Sequence, residues 1–339
     1  MPRSKPIRIL PNSSTPSNKV KFSSYPWNDD AVNMDFRTNS GGVILSGASG
    51  MLGTALNLAL NTSKTPVVQL VRRGPSGERQ LRWTPESDPA VKNSSPLEGA
   101  TAAIHLSGAS VAAHRWTDAY KRELATSRLD STRRLAQVLA SLRNPPRAFL
   151  VASAIGIYGD RGDELLTESS AAGSGFLAQL CEQWEAASDP ATQAGIRVVH
   201  LRFGVVLGSG KGALQQMLPP FRAGLGARLG SGRQWMSWVA LADVVAAILF
   251  ALDHEQLSGA VNVTSPNPVT NAKFTRALGR ALHRPTFLTL PAFALRAMFG
   301  QMADEALLAS ARVQPAKLQA AGFQFSLPEI DGALRAALR

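Results

Sequence analysis

Cysteine is almost missing from the 339 residues: the chain has one, Cys181, which excludes an intramolecular disulfide framework. Histidine is scarce as well. The five histidines form no cluster with Cys181 at metal-ligand spacing, so no metal centre is expected. This usage suits a reducing, cytoplasmic setting. Long apolar runs are missing too, with no run of about eighteen residues. The best candidate, WVALADVVAAILFAL at 238–252, is short and carries Asp243, so it reads as a buried helix rather than a membrane span. Residues 1–40 have no acid before Asp29 and no apolar core of the kind a secretory signal needs. Rich in Ser, Pro and Asn, they read as a disordered tail, with a transit peptide or a start at Met34 as the other readings.

Acidic residues are outnumbered, and the net charge of +12 raises the question of nucleic acid. The excess is local. Residues 1–40 carry six Lys/Arg against three acids, 203–240 four against none, and 271–339 nine against four. No helix-turn-helix or aromatic-basic platform accompanies them, so a nucleic-acid partner is not expected. The acid-free segment with Lys211, Arg222, Arg228 and Arg233 suits either an anionic small-molecule substrate or a solvated basic surface.

What is present is alternation. Short apolar runs, VILSG from Val43, VVQLV, AAIHLSG, AFLVAS and RVVHLRFG, are separated by longer amphipathic ones such as MLGTALNLAL, 116–142 and FLAQLCEQWEAA. Strands separated by helices need crossover connections and pair in parallel, which predicts an α/β fold, a Rossmann-type doubly wound sheet. RQLRWT is a candidate extra strand, and SDPAVKNSSP a loop. Beyond about residue 205 Gly-rich loops, a helix at 241–253 and several short helices predict a smaller helical lobe. The expected organisation is a tail at 1–40, a nucleotide-binding domain at 41–205 and a substrate-side lobe at 206–339, partly interleaved with it. Asn271 is expected to cap AKFTRALGRAL, and Gly322 to stop PAKLQAA.

SGASGMLG, Ser46 to Gly53, spaces Gly47, Gly50 and Gly53 by three, after the first strand and at the opening of the first helix. The first glycine permits a tight turn, the second lets backbone approach a pyrophosphate, and the third lets helix pack on strand. The backbone of Ser49, Gly50, Met51, Leu52 and Gly53 would then meet phosphates at a helix N-terminus. VVQLV ends in Arg72 and Arg73, where an NAD site offers an acid to the ribose; paired guanidiniums suit a 2′-phosphate, so NADP (NADPH) is the expected cofactor.

GASGMLG, HLSGA at 105–109, RWTDAYKRELATSRLDSTRRL at 115–135, RFGVVLGSGKGAL at 202–214, GLGARLGSGRQWMSW at 224–238 and the ending LLASARVQPAKLQAAGFQF together resemble the epimerase family. These are NADP-binding proteins of the extended short-chain dehydrogenase/reductase superfamily with a C-terminal helical extension. The likeness runs from Gly42 to Leu338. It implies that the glycine turn, Arg72 and Arg73 hold NADP, that Leu106 and Ser107 line it, and that Glu123 and Arg128 contact it. His105 stands where the family often has asparagine. The wider superfamily reduces carbonyls with Ser, Tyr and a Lys four residues after the Tyr. Here no tyrosine has that lysine: Tyr25, Tyr120 and Tyr158 are followed at that distance by Asp29, Leu124 and Gly162. Alignment on IYGD and on WE at 184–185 puts Ala154, Leu177 and Cys181 at the three catalytic positions, with Ser153 beside the first.

Tyr158 follows a strand expected to end at the ligand-binding edge of the sheet. Tyr158 and Ser153 are therefore the candidates to polarise a reacting oxygen, and a packing tyrosine is the equal alternative. Asp160 and Arg161 read as turn residues, Cys181 as a buried thiol, Asp243 as helix-start chemistry, and Trp235 and Trp238 as core aromatics or a cleft wall. Two functions follow: an NADP-dependent oxidoreductase or epimerase, or a catalytically silent NADPH-binding sensor or scaffold.

Overall fold

The computed structural model describes residues 41–339, so the tail expected at 1–40 lies outside the described residues. Seven strands form the central sheet: β1 (Val43–Ser46), β2 (Val67–Val71), β3 (Gln80–Arg82), β4 (Ala102–His105), β5 (Ala148–Ala154), β6 (Arg197–Phe203) and β7 (Gly259–Val263). Their order is β7-β6-β5-β4-β1-β2-β3, and every neighbouring pair is parallel. This is the doubly wound arrangement the alternation predicts, with the reversal beside β1. β1 and β4 are buried at every position, which explains why they read as unbroken apolar runs rather than alternating ones. RQLRWT contributes β3 as expected. The strand at 259–263 was not among those expected from the sequence.

The register decides what meets at the carboxyl edge. Ser46 is level with His105 across β1 and β4, and Ser153, Arg202 and Asn262 are level across β5, β6 and β7. Level residues of parallel neighbours share a face, so two polar rows are set inside an otherwise apolar sheet. Both rows become networks.

Helices cover the two faces: α1 (Met51–Thr62) packs with α6 (Leu241–Asp253), and α2 (Asp118–Ala140) with α3 (Phe176–Ala186) and the short α4 (Asp189–Gln193). On α1 the stripe Ala55, Leu56, Ala59 and Leu60 is buried; burying each leucine contributes about 2 kcal/mol. α6 is buried nearly all round, the expected reason for its long apolar run. A second core joins Leu214, Leu218 and Phe221 of α5 (Ala213–Arg222), Phe274 and Leu278 of α7 (Asn271–Leu282), and Ile330 and Leu334 of α8 (Ile330–Ala337) around Trp238. Trp238 is wholly buried and donates its indole N–H to the Asn267 carbonyl at 3.1 Å, so it is a core residue and not a cleft wall.

One capping expectation is corrected. Thr270, not Asn271, caps α7: its Oγ1 accepts from the Lys273 amide at 3.3 Å. The Asn271 carboxamide is buried and used elsewhere, its Oδ1 accepting from the Leu229 amide at 2.8 Å. Gly322, at φ +88°, does end the short helix Ala316–Ala320. Asp243 is likewise more than helix-start chemistry. Its buried carboxylate accepts the Ser326 amide at 2.8 Å and the Leu327 amide at 3.1 Å, fastening the C-terminal segment to α6; burial pushes its pKa up.

Replacing Asp243 with Ala leaves two amides without an acceptor, at a cost of about 1–3 kcal/mol. Urea denaturation should show that loss, and limited proteolysis should cut first near Ser326.

Candidate functional site

The glycine turn is closed by backbone and leaves no space for side chains. Gly47 is at φ +81°, and a Cβ there would lie 2.7 Å from the Leu106 carbonyl carbon. A Cβ on Gly53 would lie 2.1 Å from the Gly47 oxygen. The Gly50 amide bonds the Gly47 oxygen at 3.0 Å, and Gly50 is the N-cap of α1. That helix has no side-chain cap and no acid in its first turn, so its N-terminal amides and dipole are presented to the space above the turn. A cradle that only glycines can line fits an extended anionic group such as a pyrophosphate.

Leu106 and Ser107, expected to line the same site, are brought against this turn. The Leu106 amide donates to the Ser46 oxygen at 3.1 Å, and the Ser46 and Ser107 hydroxyls are 2.5 Å apart. Beneath them His105 is fully buried, its Nδ1 2.9 Å from Ser46 Oγ and its Nε2 3.1 Å from Ser131 Oγ. Burial pushes its pKa down to about 4, so the imidazole is neutral and acts as a two-ended hydrogen-bond strut. An asparagine could span the same gap only in part, since it is shorter.

Arg128, expected at the cofactor, is 7% exposed. It donates to the Leu124 oxygen at 3.1 Å and the Ala109 oxygen at 2.8 Å, and lies over the Trp184 ring at 5.1 Å. It therefore shapes the loop after β4. Glu123 is exposed on α2, and Arg72 and Arg73 are exposed beyond β2 and enter no ion pair among the described residues. Lys211, grouped from its sequence with the substrate-side cations, instead reaches the glycine turn, its Nζ 3.4 Å from the Ser49 oxygen. Its loop crosses Met51: a Cβ at Gly208 or at Gly212 would lie 3.0 Å from the methionine's Sδ or Cε. Lys211 thus stands beside the glycine turn, a placement that charge counting along the chain could not reveal.

The second row takes up both expected proton donors. Tyr158 is 0% exposed; its hydroxyl donates to Asn262 Oδ1 at 2.7 Å and accepts from Arg202 Nη1 at 3.0 Å. Arg202 in turn grips Glu185 through both oxygens, at 2.8 and 2.9 Å, and Ser153 Oγ donates to the same carboxylate at 2.7 Å. Burial opposes ionisation of Tyr158 and raises its pKa, with Arg202 pulling against it. Both hydroxyls are thus hydrogen-bonded inside the protein. Glu185 and Arg202 were not singled out in the sequence; the WE pair at 184–185 was used only to align the helix.

At the two other catalytic positions, Leu177 and Cys181 lie beside Gly156, and burial pushes the Cys181 thiol up to about 12, an inert side chain as expected. The Leu177 amide donates to Glu305 at 2.8 Å, so a carboxylate from the C-terminal region caps α3. The loop at 160–164 is a turn as expected, but one stitched to that region: Asp160 accepts the Ser310 amide at 3.1 Å, and Ser310 Oγ donates to the Gly162 oxygen at 2.6 Å. No group of His, Cys, Asp and Glu among the described residues could hold a metal ion.

Glu185 lies against the Arg202 guanidinium, and although burial alone would raise its pKa, Arg202 pulls it below the usual carboxylate value. Glu185→Ala strands a buried guanidinium and should lower unfolding free energy by about 3–5 kcal/mol. Because the folded pKa is depressed, the stability Glu185 contributes is present above pH 4.5 and lost as pH falls below it. His105 adds an earlier loss: depressed from 6.5 to about 4, it favours the folded state above pH 6.5 and loses that contribution as pH falls toward 4. Denaturation midpoints of His105→Asn between those two values should fall less steeply than those of the wild type.

Residues 43–264 match the model of the NAD dependent epimerase/dehydratase family, and residues 290–337 match a domain of unknown function, DUF1731. The chain is 47% identical over 295 residues to Epimerase family protein Mb2239 of Mycobacterium bovis, covering 86% of this chain and 96% of that one. It is 35% identical to mouse Epimerase family protein SDR39U1, covering 86% and 98%. A solved structure of human SDR39U1 (isoform2) with NADPH superposes with a TM-score of 0.79 at 32% identity, over 87% of this chain and 98% of that one. With its doubly wound sheet, its glycine turn and its helical C-terminal region, the chain belongs to the NAD dependent epimerase/dehydratase family.

Proposed function

We propose that the protein binds NADP(H) and serves as an oxidoreductase or epimerase for a small molecule, without the tyrosine-based proton donor of its superfamily. The observation that carries this reading is the glycine cradle, shaped so that a Cβ at Gly53 would sit 2.1 Å from the Gly47 oxygen, with Ser107 and Leu106 closing its side. Ser49 to Gly53 present amides to a pyrophosphate, and Lys211 adds a charge above them. Arg72 and Arg73, exposed and in no ion pair among the described residues, stand where a 2′-phosphate would lie, which favours NADP over NAD. The NADPH in the human SDR39U1 structure supports the same preference.

A nicotinamide cofactor supplies hydride exchange when bound. This chain's own residues hold it, keep the carboxyl edge of the sheet ordered and wall the substrate side. Tyr158 and Ser153 act through Glu185 and Arg202 as positioning residues. The acid that completes a carbonyl reduction comes from solvent or from substrate in this reading.

The sealed state of Tyr158 favours a second reading, a catalytically silent NADPH sensor. Turnover separates the two: NADPH consumption with any member of a carbonyl and nucleotide-sugar panel supports the enzyme, whereas tight NADPH binding with none supports the sensor. Calorimetry should show Arg72→Ala/Arg73→Ala weakening NADPH about tenfold or more while leaving NADH nearly unchanged. Gly53→Val should abolish binding of both. Absence of coenzyme binding by the folded wild type would overturn the whole reading.

A further inference from the structure

Two stretches of the chain, 203–242 and 256–303, contain no acidic residue. The fold joins them. The strands Ala227–Leu229 and Leu288–Leu290 pair in parallel, Arg228 Nε donates to Thr289 Oγ1 at 2.9 Å, and Arg284 Nε donates to the Arg222 carbonyl at 3.0 Å. On α7, Lys273, Arg276 and Arg280 recur at helical spacing and are all exposed, which makes a basic stripe leading to Arg284. Arg276, Arg280, His283, Arg284, Pro285 and Thr286 border a shallow depression of about 420 Å³. Of these cations only Arg280 enters an ion pair among the described residues, with Asp331 at 2.7 Å.

Large apolar side chains stand out of the protein on the same two segments. Leu225 is 61% exposed and Phe287 79%, each just before one of the paired strands, and Leu288 is exposed beside them. Their backbone is held in place. The Leu225 amide donates to the Pro220 carbonyl at 2.8 Å in the turn that Gly224 makes at φ +77°, and Thr286 packs so closely on α7 that a Cβ at Gly279 would lie 2.4 Å from its Cγ2. Phe221, four residues before Leu225, is buried in the second core while Leu225 is not. A phenyl ring left in water forgoes about 2 kcal/mol of burial, and apolar side chains presented together on an ordered surface mark a contact with something else.

Charge decides between the occupants. A second copy of this chain would set one acid-poor basic face against another, which like-charge repulsion opposes. Nucleic acid would use the cations and leave Leu225 and Leu288 without a role. An anionic bilayer takes both, since its headgroup phosphates attract the cations and its acyl boundary receives the apolar side chains. We propose that this face docks on the surface of an anionic lipid bilayer, with Leu225 and Phe287 entering the acyl boundary and Lys273, Arg276 and Arg284 meeting headgroup phosphates. The attachment is peripheral, for no helix among the described residues is long and apolar enough to cross a membrane. It gives the basic surface at 222–228 a partner other than a small-molecule substrate, and it is independent of the coenzyme reading.

The test floats the full chain with vesicles of phosphatidylcholine mixed with phosphatidylserine, and with vesicles of phosphatidylcholine alone, at low and high salt. The wild type is expected to float with the mixed vesicles at low salt and to be released from them by salt. The double variant Leu225→Ser/Phe287→Ser should bind the mixed vesicles about tenfold or more weakly. Lys273→Ala/Arg276→Ala should bind about thirtyfold more weakly, each cation near a charged surface accounting for about fivefold. Denaturation midpoints equal to the wild type's show that the variants fold; should Leu225→Ser/Phe287→Ser fail to, Phe287→Ser alone carries the comparison. Wild type that floats with neither vesicle, or with both alike, overturns the proposal, as does a Leu225→Ser/Phe287→Ser variant that floats as the wild type does. Wild type that sediments as a dimer which the same variant breaks assigns the face to a second copy and overturns it as well. Duplex DNA or an acidic protein bound in place of the mixed vesicles has the same force.

Discussion

The Glu185–Arg202 pair governs what the carboxyl edge of this sheet can do. Two charges at 2.8 and 2.9 Å, largely out of water, are stable only with their remaining hydrogen-bonding positions filled. Ser153 and Tyr158 fill them, and Asn262 in turn accepts from Tyr158, because the parallel register brings Ser153, Arg202 and Asn262 level. Ser153 and Tyr158, the candidates to polarise a reacting oxygen, are consequently turned inward to hold this pair.

The coenzyme side follows the opposite logic. There the chain strips side chains away at Gly47 and Gly53 so that backbone packs on backbone around a tight turn, and supports the thin turn from below with the neutral His105 strut between Ser46 and Ser131. A charged imidazole at that depth would be unsupported, so the low pKa belongs to the design of the turn. One edge of the sheet thus has two halves, one open with amides and one closed by an ion pair.

The fold was legible because parallel strands buried on both faces leave unbroken apolar runs, and glycine spacing locates the turn that only glycine can make. β7 escaped because Gly259–Val263 opens on glycine and is polar at Asn262, which the sheet tolerates because Tyr158 and the Gln314 carbonyl both bond its carboxamide. The candidate site was legible where backbone does the work and illegible where side chains from distant segments meet. Tyr158 was found but its partners, Arg202 and Asn262, lie 44 and 104 residues away, and no local pattern announces such a meeting. Thr270 took the cap expected of Asn271 because tertiary contact drew the asparagine away to Leu229.

The C-terminal region is matched as a unit separate from the nucleotide-binding part, yet Ser310, Val313, Ser326 and Leu327 are sewn into Gly162, Ser237 and Asp243 of the preceding chain. Such seams make the boundary between the two family models a convenience of comparison and no hinge of the molecule. A tail borrowed from a cousin would have to bring its own matching loop at 160–164, so inheritance of this extension is expected to be all or nothing.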